Sequence, residues 1–314
     1  MLYRTLGRTG LKVSLVSYGS GGASKLGQNT GLSSSDQDFL VHRCIDEGIN
    51  LFDTSEAYGD SEAILGRALS SVPRDSYVVA TKCKYLDRSG AMRTPADIAT
   101  SIENSLIRLR VDCIDSLQFH VFNSKHYFQV VDQHYPVLKR FQEQGKIRYL
   151  GFSEQFKVEH DHKGVVLALE THPELWDTVQ LKYGILNQIA ANKALPLALQ
   201  HNVGIINMAA VRVKLINPQL LREQIAEWKR QGLVAQDAVP DDDPLGWLIH
   251  DDVDSVISAG YKFAADHPAI STVLTGTSSV AHLEANLKAM ENPTLAGDDM
   301  RRLQELFGEI AIYI

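Results

Sequence analysis

The sequence predicts a closed parallel (β/α)8 TIM barrel with an N-terminal β-hairpin and a long loop after the seventh strand. Three observations carry that expectation. Eight short apolar segments alternate with helical patterns along 314 residues. No change of composition and no linker divides the chain, so residues 1–314 are expected to form one domain. The third observation is the stretch 50–69, NLFDTSEAYGDSEAILGRAL, where a short apolar run gives way to a polar loop and then to apolar residues at helical spacing.

In order, residues 3–6 and 12–15 flank Gly7-Arg8-Thr9-Gly10 and read as a hairpin. Residues 13–18 read as the first barrel strand. They run into the flexible loop Gly19-Ser20-Gly21-Gly22, which extends through Gly27 and Gly31 and is followed by a helix over 36–47 closed by Gly48. Residues 50–55 form the second strand. The next helix covers 61–70, with Ser61 and Glu62 in its first turn, where free amides favour them. Strands follow at 77–83 and 113–120, separated by a helix over 94–109 that opens with Thr94-Pro95 and has Asp97 in its first turn. A helix over 130–144 and strands at 147–153, 178–183, 204–209 and 270–276 complete the eight. The segment 212–250 interrupts the alternation with Asn217-Pro218, a helical stretch to about Trp228 and the acidic turn 240–244. An excursion of that length at a strand end suits a functional loop.

Composition excludes several classes. The chain has 31 Lys plus Arg against 38 Asp plus Glu, a formal charge of −7, which argues against a surface that tracks phosphates of nucleic acid. Cys44, Cys83 and Cys113 are too few and too scattered for a disulfide framework or a zinc site, so no metal is expected. The charged N-terminus lacks a signal-peptide pattern, and no run approaches the roughly 18 apolar residues of a membrane span. A cytoplasmic, soluble protein is expected.

In a barrel of this kind the loops at the C-terminal ends of the strands build the site. The polar residues there are Asp53 on the second strand with Tyr58 in the loop beyond it, Lys82 on the third and His120 on the fourth. Each alone has a structural alternative. A Lys–Asp pair can neutralise itself, a tyrosine can pack at a rim, and a histidine can be a satisfied core residue. Together they fit proton transfer by a phenol. An unperturbed tyrosine pKa of about 10 is high for work near neutrality, and a nearby ammonium lowers it by favouring phenolate. Lys82 can supply that charge, Asp53 can keep it protonated, and His120 can hydrogen-bond the reacting oxygen. Lys84, two residues on and on the same face, is a rival to Lys82.

The stretches GINLFDTSEAYGDSEAILGRAL (48–69), VVATK (78–82), SLQFH (116–120), GKIRYLGFS (145–153), Gln180 and GTSSVAHLEAN (276–286) resemble the aldo-keto reductase family across nearly the whole chain. The resemblance implies a catalytic tetrad of Asp53, Tyr58, Lys82 and His120. It also implies a nicotinamide dinucleotide lying across the barrel mouth without a Rossmann domain, and the chain has no strand-associated G-x-G-x-x-G motif. Implied contacts are Gly19, Ser20, Gly21 and Asp53 beside the nicotinamide, Ser153 and Gln180 at the carboxamide, Met208 and Ala209 at the ring, and Gly276, Thr277, Ser278, His282 and Asn286 at the adenosine end. NADP(H) is the family expectation, with NAD(H) a close alternative.

Three departures bear on this. Glu154 stands where many members have asparagine, Met208 where an aromatic ring often stacks, and Gly276 and His282 where NADP-selective members carry Lys or Arg. Arg212, Lys214 or Arg222 could restore the missing charge. Implied substrates are small carbonyl compounds, alcohols or sugars, in a pocket bounded by Tyr18, Tyr85, Val121, Phe122, Trp176 and the 212–250 loop with Trp247. For Trp228 packing is the expected role. The same resemblance admits a second reading, a cofactor-sensing accessory subunit with little or no turnover.

Overall fold

A computed structural model of the protein describes residues 1–312. Its two antiparallel strands β1 (Tyr3–Thr5) and β2 (Lys12–Ser14) form the expected hairpin. Eight parallel strands then close into a barrel: β3 (Val16–Gly19), β4 (Leu51–Asp53), β5 (Val78–Lys84), β6 (Ile114–Phe122), β7 (Ile147–Glu154), β8 (Thr178–Lys182), β9 (Gly204–Met208) and β10 (Ile270–Thr275), with β10 pairing back onto β3. The eight-stranded expectation holds, with one boundary corrected. Residues 13–18 are not one strand, because the chain changes partners at Leu15. Its N–H bonds Leu2 of the hairpin and its carbonyl accepts from Val273 of the barrel, both at 2.8 Å.

Helices cover the barrel: α1 (Ser34–Asp46), α2 (Ser61–Ala68), α3 (Pro95–Leu109), α4 (Tyr127–Gln133), α5 (Tyr135–Glu143), α6 (Lys163–Thr171), α7 (Ala194–Gln200), α8 (Pro218–Arg230), α9 (Val256–Asp266), α10 (Val280–Ala289) and α11 (Gly297–Phe307). Thr94 with Asp97 forms a reciprocal capping box that satisfies free amides opening α3, and Ser33 with Asp36, not singled out from sequence, does the same for α1. At α2 the expected signal acts otherwise: no side chain caps the helix, the Ser61 hydroxyl lies against the Ser20 and Tyr58 carbonyls, and buried Glu62 accepts from Thr81 and Arg108. The helix expected over 130–144 is instead two. Pro136 lies in the first turn of α5 and cannot continue a preceding helix, so the chain breaks at His134, whose buried ring is fixed to the Arg93 carbonyl at 2.7 Å. Among the described residues no helix is long and apolar enough to cross a membrane.

The hairpin closes the N-terminal end of the barrel. Leu6 and Val13 are buried in one cluster with Leu51, Val78, Ala80 and Ile206, while the Arg8 N–H bonds the Asn202 carbonyl (2.6 Å) and the Tyr149 hydroxyl donates to the Thr9 carbonyl (2.6 Å). The opposite end stays open for chemistry. In the 212–250 loop, Asn217 caps α8, Trp228 packs against Phe307 as expected of a core residue, and the buried Lys229 ammonium binds Asp241 and the Val239 carbonyl, both at 2.6 Å. The acidic turn is thus a partner for a buried cation.

Gly66 marks where α2 crosses α3 most closely, since a β-carbon there would stand 2.2 Å from the Arg108 carbonyl oxygen. Backbone cannot move aside cheaply. We expect Gly66→Ala to lower stability by about 1–3 kcal/mol, read as a fall in urea midpoint without a change of slope.

Candidate active site

β4, β5 and β6 are neighbours, so their C-terminal ends bring Asp53, Lys82 and His120 together, and the loop after β4 carries Tyr58 over them. Lys82 is wholly buried, and its ammonium donates to Asp53 Oδ1 at 2.5 Å and to the Thr54 carbonyl at 2.9 Å. The same nitrogen lies 5.3 Å from the centre of the Tyr58 ring. Depth separates it from its rival: Lys84, two residues on and on the same face, is exposed at the strand end and makes no contact with Asp53. The Tyr58 hydroxyl stands 3.4 Å from His120 Nε2, with the two rings edge to face at 5.4 Å.

Electrostatics correct one expectation from sequence. Burial raises the Tyr58 pKa above its ordinary value, and the opposing pull of Lys82, aided by Arg212, is the smaller effect. The resting group is therefore a phenol that holds its proton. Burial likewise pushes the Asp53 carboxyl up, against the Lys82 charge and a hydrogen bond from Gln180. His120 is pushed down to about 3, first by burial and then by the Lys82 and Lys84 ammonium groups, so its imidazole is neutral at ordinary pH. Ser55 Oγ lies 2.9 Å from His120 Nδ1. If it donates there, the ring proton is on Nε2, facing Tyr58.

Several supports were not legible in the sequence. Ser55 sits within the conspicuous 50–69 stretch, yet nothing marked it as the partner of His120. Gln28 clamps the loop that carries Tyr58: its amide donates to the carbonyls of Lys25 (2.8 Å) and Tyr58 (3.1 Å), and its oxygen accepts from the Asp60 N–H (2.9 Å). Gly21 lies against the phenol face, where a β-carbon would approach a Tyr58 ring carbon to 2.2 Å.

The implied cofactor contacts fall in two groups around the mouth. Ser153 ends β7, Gln180 lies on β8 and Met208 ends β9; the Met208 sulfur is 4.0 Å from Ser153 Oγ and 3.7 Å from Gln180 Nε2. The buried Gln180 Oε1 has no partner, so an amide N–H, such as a carboxamide offers, would satisfy it. The residues fit the group on this count. Ala209 follows at φ +59°. Ser20 differs from expectation in what its side chain does: its hydroxyl is buried and bonded to the Asp53 carbonyl (2.9 Å), tying loop one to β4.

At the other group, Gly276 packs closely on Gly19, whose carbonyl oxygen would be 2.9 Å from an added β-carbon, and the Tyr18 hydroxyl holds the Thr277 carbonyl at 2.5 Å. Ser279 caps α10 through the His282 N–H; His282 is exposed, and Ser278 and Asn286 are half-buried. Glu154, the departure noted above, is buried and accepts from His162 Nδ1 and from the Lys182 N–H, both at 2.7 Å, so it ties β7 to β8 and to the start of α6. Among the described residues no three His, Cys, Asp or Glu side chains group as metal ligands.

The expected apolar pocket wall is corrected by burial. Tyr18, Tyr85, Phe122 and Trp176 are all core residues, and Trp176 packs between Phe119, Phe152 and Tyr135. Large aromatics find their partners in the layer between strands and helices before they line an opening. Trp247 is half-buried under the Arg302 guanidinium, 4.2 Å from its ring centre.

The profile of the aldo/keto reductase family matches residues 19–307. Similar proteins of known name include L-galactose dehydrogenase of Arabidopsis thaliana, 30% identical over 317 residues covering 96% of this chain and 92% of that protein. NADH-specific methylglyoxal reductase of Escherichia coli is 31% identical over 200 residues, covering 59% of this chain and 58% of that one. Among solved structures, an aldo-keto reductase from Bacillus halodurans superposes with a TM-score of 0.72 over 100% of this chain and 98% of its own, at 21% identity. With the eight-stranded barrel and a family match over nearly its whole length, the chain belongs to the aldo/keto reductase family.

Proposed function

We propose that this oxidoreductase uses a nicotinamide dinucleotide to interconvert an aldehyde, ketone or aldose with the corresponding alcohol or lactone, Tyr58 acting as general acid in reduction and general base in oxidation. The observation that carries the reading is the phenol seated over a buried Lys82–Asp53 pair and beside a neutral His120. When bound, the dinucleotide supplies or accepts the hydride. Ser153 and Gln180 would hold its carboxamide, with Gly19, Gly21, Met208 and Ala209 nearby, and Gly276, Thr277, Ser278, His282 and Asn286 would hold its adenosine end.

In reduction, the substrate oxygen would accept hydrogen bonds from the Tyr58 hydroxyl and His120 Nε2. As negative charge grows on that oxygen the phenol gives up its proton, and Lys82 stabilises the phenolate left behind. Asp53 keeps Lys82 charged in a site with little water. In oxidation the phenolate takes the proton of the alcohol, or of the anomeric hydroxyl of an aldose on its way to a lactone. Similarity to an L-galactose dehydrogenase over almost the full chain supports the aldose direction.

Cofactor choice follows from charge. The segment 276–286 contains no Lys or Arg, and Arg43, which reaches α10, is committed to Glu47 at 2.6 Å and Glu284 at 3.0 Å. A 2′-phosphate would find no dedicated cation in that segment, and the name of the Escherichia coli relative is in line with this. We therefore infer that NAD(H) binds at least as well as NADP(H).

Purified protein mixed with either dinucleotide and a panel of aldehydes, ketones and aldoses tests the reading by absorbance of the reduced cofactor. Tight dinucleotide binding with no turnover would instead favour the accessory-subunit alternative. Tyr58→Phe should cut turnover about 10²–10⁴-fold with dinucleotide affinity nearly unchanged. Because the Tyr58 pKa is raised, the rate of reduction should be flat through neutrality and fall only in alkaline solution, while oxidation climbs with pH over that range. His120 should add no inflection between about pH 5 and 8. Gly21→Ala, which must shift the phenol ring, should lower turnover by up to about 10²-fold in a protein that still folds, as circular dichroism would verify. In parallel fluorescence titrations, His282→Arg should shift relative affinity toward NADP by roughly tenfold.

A further inference from the structure

On the flank of Tyr58 formed by the loops after β3, β4 and β5 lies a cleft of about 720 Å³. The cofactor contacts proposed above come from the ends of β7 to β10 and the start of loop one, so this cleft belongs to the substrate side. Its wall contains Ala57 and Gly59, which flank Tyr58, and Lys84, which pairs in register with His120. Whatever fills it lies against the residues on either side of Tyr58 and against Lys84.

The charges around it do not cancel. Both carboxylates are already occupied by the protein. Glu56 accepts from the Arg93 guanidinium (2.9 Å), the Lys84 backbone N–H (2.7 Å) and the Ser101 hydroxyl. Asp87 accepts through one oxygen from the Ser89 N–H (2.8 Å), the Ser89 hydroxyl (2.7 Å) and the Ala91 N–H (3.0 Å). Among the described residues no carboxylate pairs with Lys25, Lys84 or Arg88. Three uncommitted cations converge on one cleft in a chain of net charge −7. Such a focus of positive potential raises the local concentration of anions and costs self-repulsion when empty. The apolar wall expected from the sequence is absent here, and only Leu86 offers a sizeable hydrocarbon surface.

We propose that this cleft takes the anionic group, a carboxylate or a phosphate monoester, of a carbonyl or aldose substrate whose reacting carbon lies at Tyr58. The proposal rests on the oxidoreductase reading and names its substrate class. Lys84, set aside as a catalytic lysine, becomes a specificity residue together with Lys25 and Arg88. The 2′-phosphate of a dinucleotide does not compete for this role, because its end of the site lies after β10.

The test compares matched substrates on the full-length protein with its dinucleotide: 4-oxobutanoate against butanal, and glyceraldehyde 3-phosphate against glyceraldehyde. The ratio of kcat/KM, charged over neutral, should exceed about tenfold in at least one pair, and the pair that responds tells carboxylate from phosphate. It should fall at least tenfold in the triple variant Lys25→Gln, Lys84→Gln, Arg88→Gln, chiefly through KM of the charged substrate, and also as salt rises from about 50 to 500 mM. The single variant Arg88→Gln, at an exposed loop position, should move the ratio the same way. Ratios near one in both pairs, or a ratio the variants leave unchanged, would overturn the proposal. If no carbonyl is turned over, the oxidoreductase reading fails by itself. Calorimetric titration with succinate and inorganic phosphate then decides the cleft: binding lost in Arg88→Gln supports it, and no binding by the unaltered protein refutes it.

Discussion

The buried ion pair between Lys82 and Asp53 is the interaction on which the mouth of this barrel depends. Neither residue could be buried alone, since an isolated charge in a dry site is expensive and removing one partner of such a pair costs about 3–5 kcal/mol. Their contact at 2.5 Å fixes the ends of β4 and β5 relative to each other. It also holds the Lys82 nitrogen 5.3 Å from the centre of the Tyr58 ring. The same desolvation that makes the pair necessary lifts the tyrosine pKa, so phenol chemistry here is a balance between burial and a charge that burial strengthens.

Around that pair the loops are fixed by polar contacts of short sequence origin and long spatial reach. Gln28 from the first loop holds the main chain of Tyr58, Ser55 holds His120, and Glu56 joins the second loop to Arg93 and Lys84 of the third. The barrel supplies adjacency and the loop bonds supply orientation. Gly21 completes the arrangement by leaving room for the phenol ring. The surroundings are asymmetric. One flank has Gly276, Thr277 and exposed His282 with no fixed cation, and the other gathers Lys25, Lys84 and Arg88. That contrast underlies both the cofactor preference and the substrate class proposed here.

Much of the fold could be read from the chain because it rests on local periodicity. Short apolar strands, capped helices and the Gly-Arg-Thr-Gly turn are each specified within about ten residues. Errors arose where two signals overlapped: residues 13–18 serve the hairpin and the barrel in turn, and Pro136 divides a helix whose apolar spacing continues across it. α6, α7, α9 and α11 went unassigned from sequence: α6, α7 and α11 open without a side-chain cap, and α9 opens on Ser255 with Ser258, a box without the acidic residue that marks α1 and α3.

By itself the sequence determined the order of the strands and which strand ends and loops carry Asp53, Tyr58, Lys82 and His120, because residue type and spacing along one strand suffice for that. Only the tertiary structure decided what those residues experience. Burial, which sets the direction of the Tyr58 and His120 shifts, is a property of everything packed around them. The partners Ser55, Gln28 and Gly21 are likewise invisible in a linear chain, as is the withdrawal of Trp176 and Tyr85 into the core. The open cations of the substrate-side cleft emerge last of all, because a lysine is uncommitted only after every nearby carboxylate has found another partner.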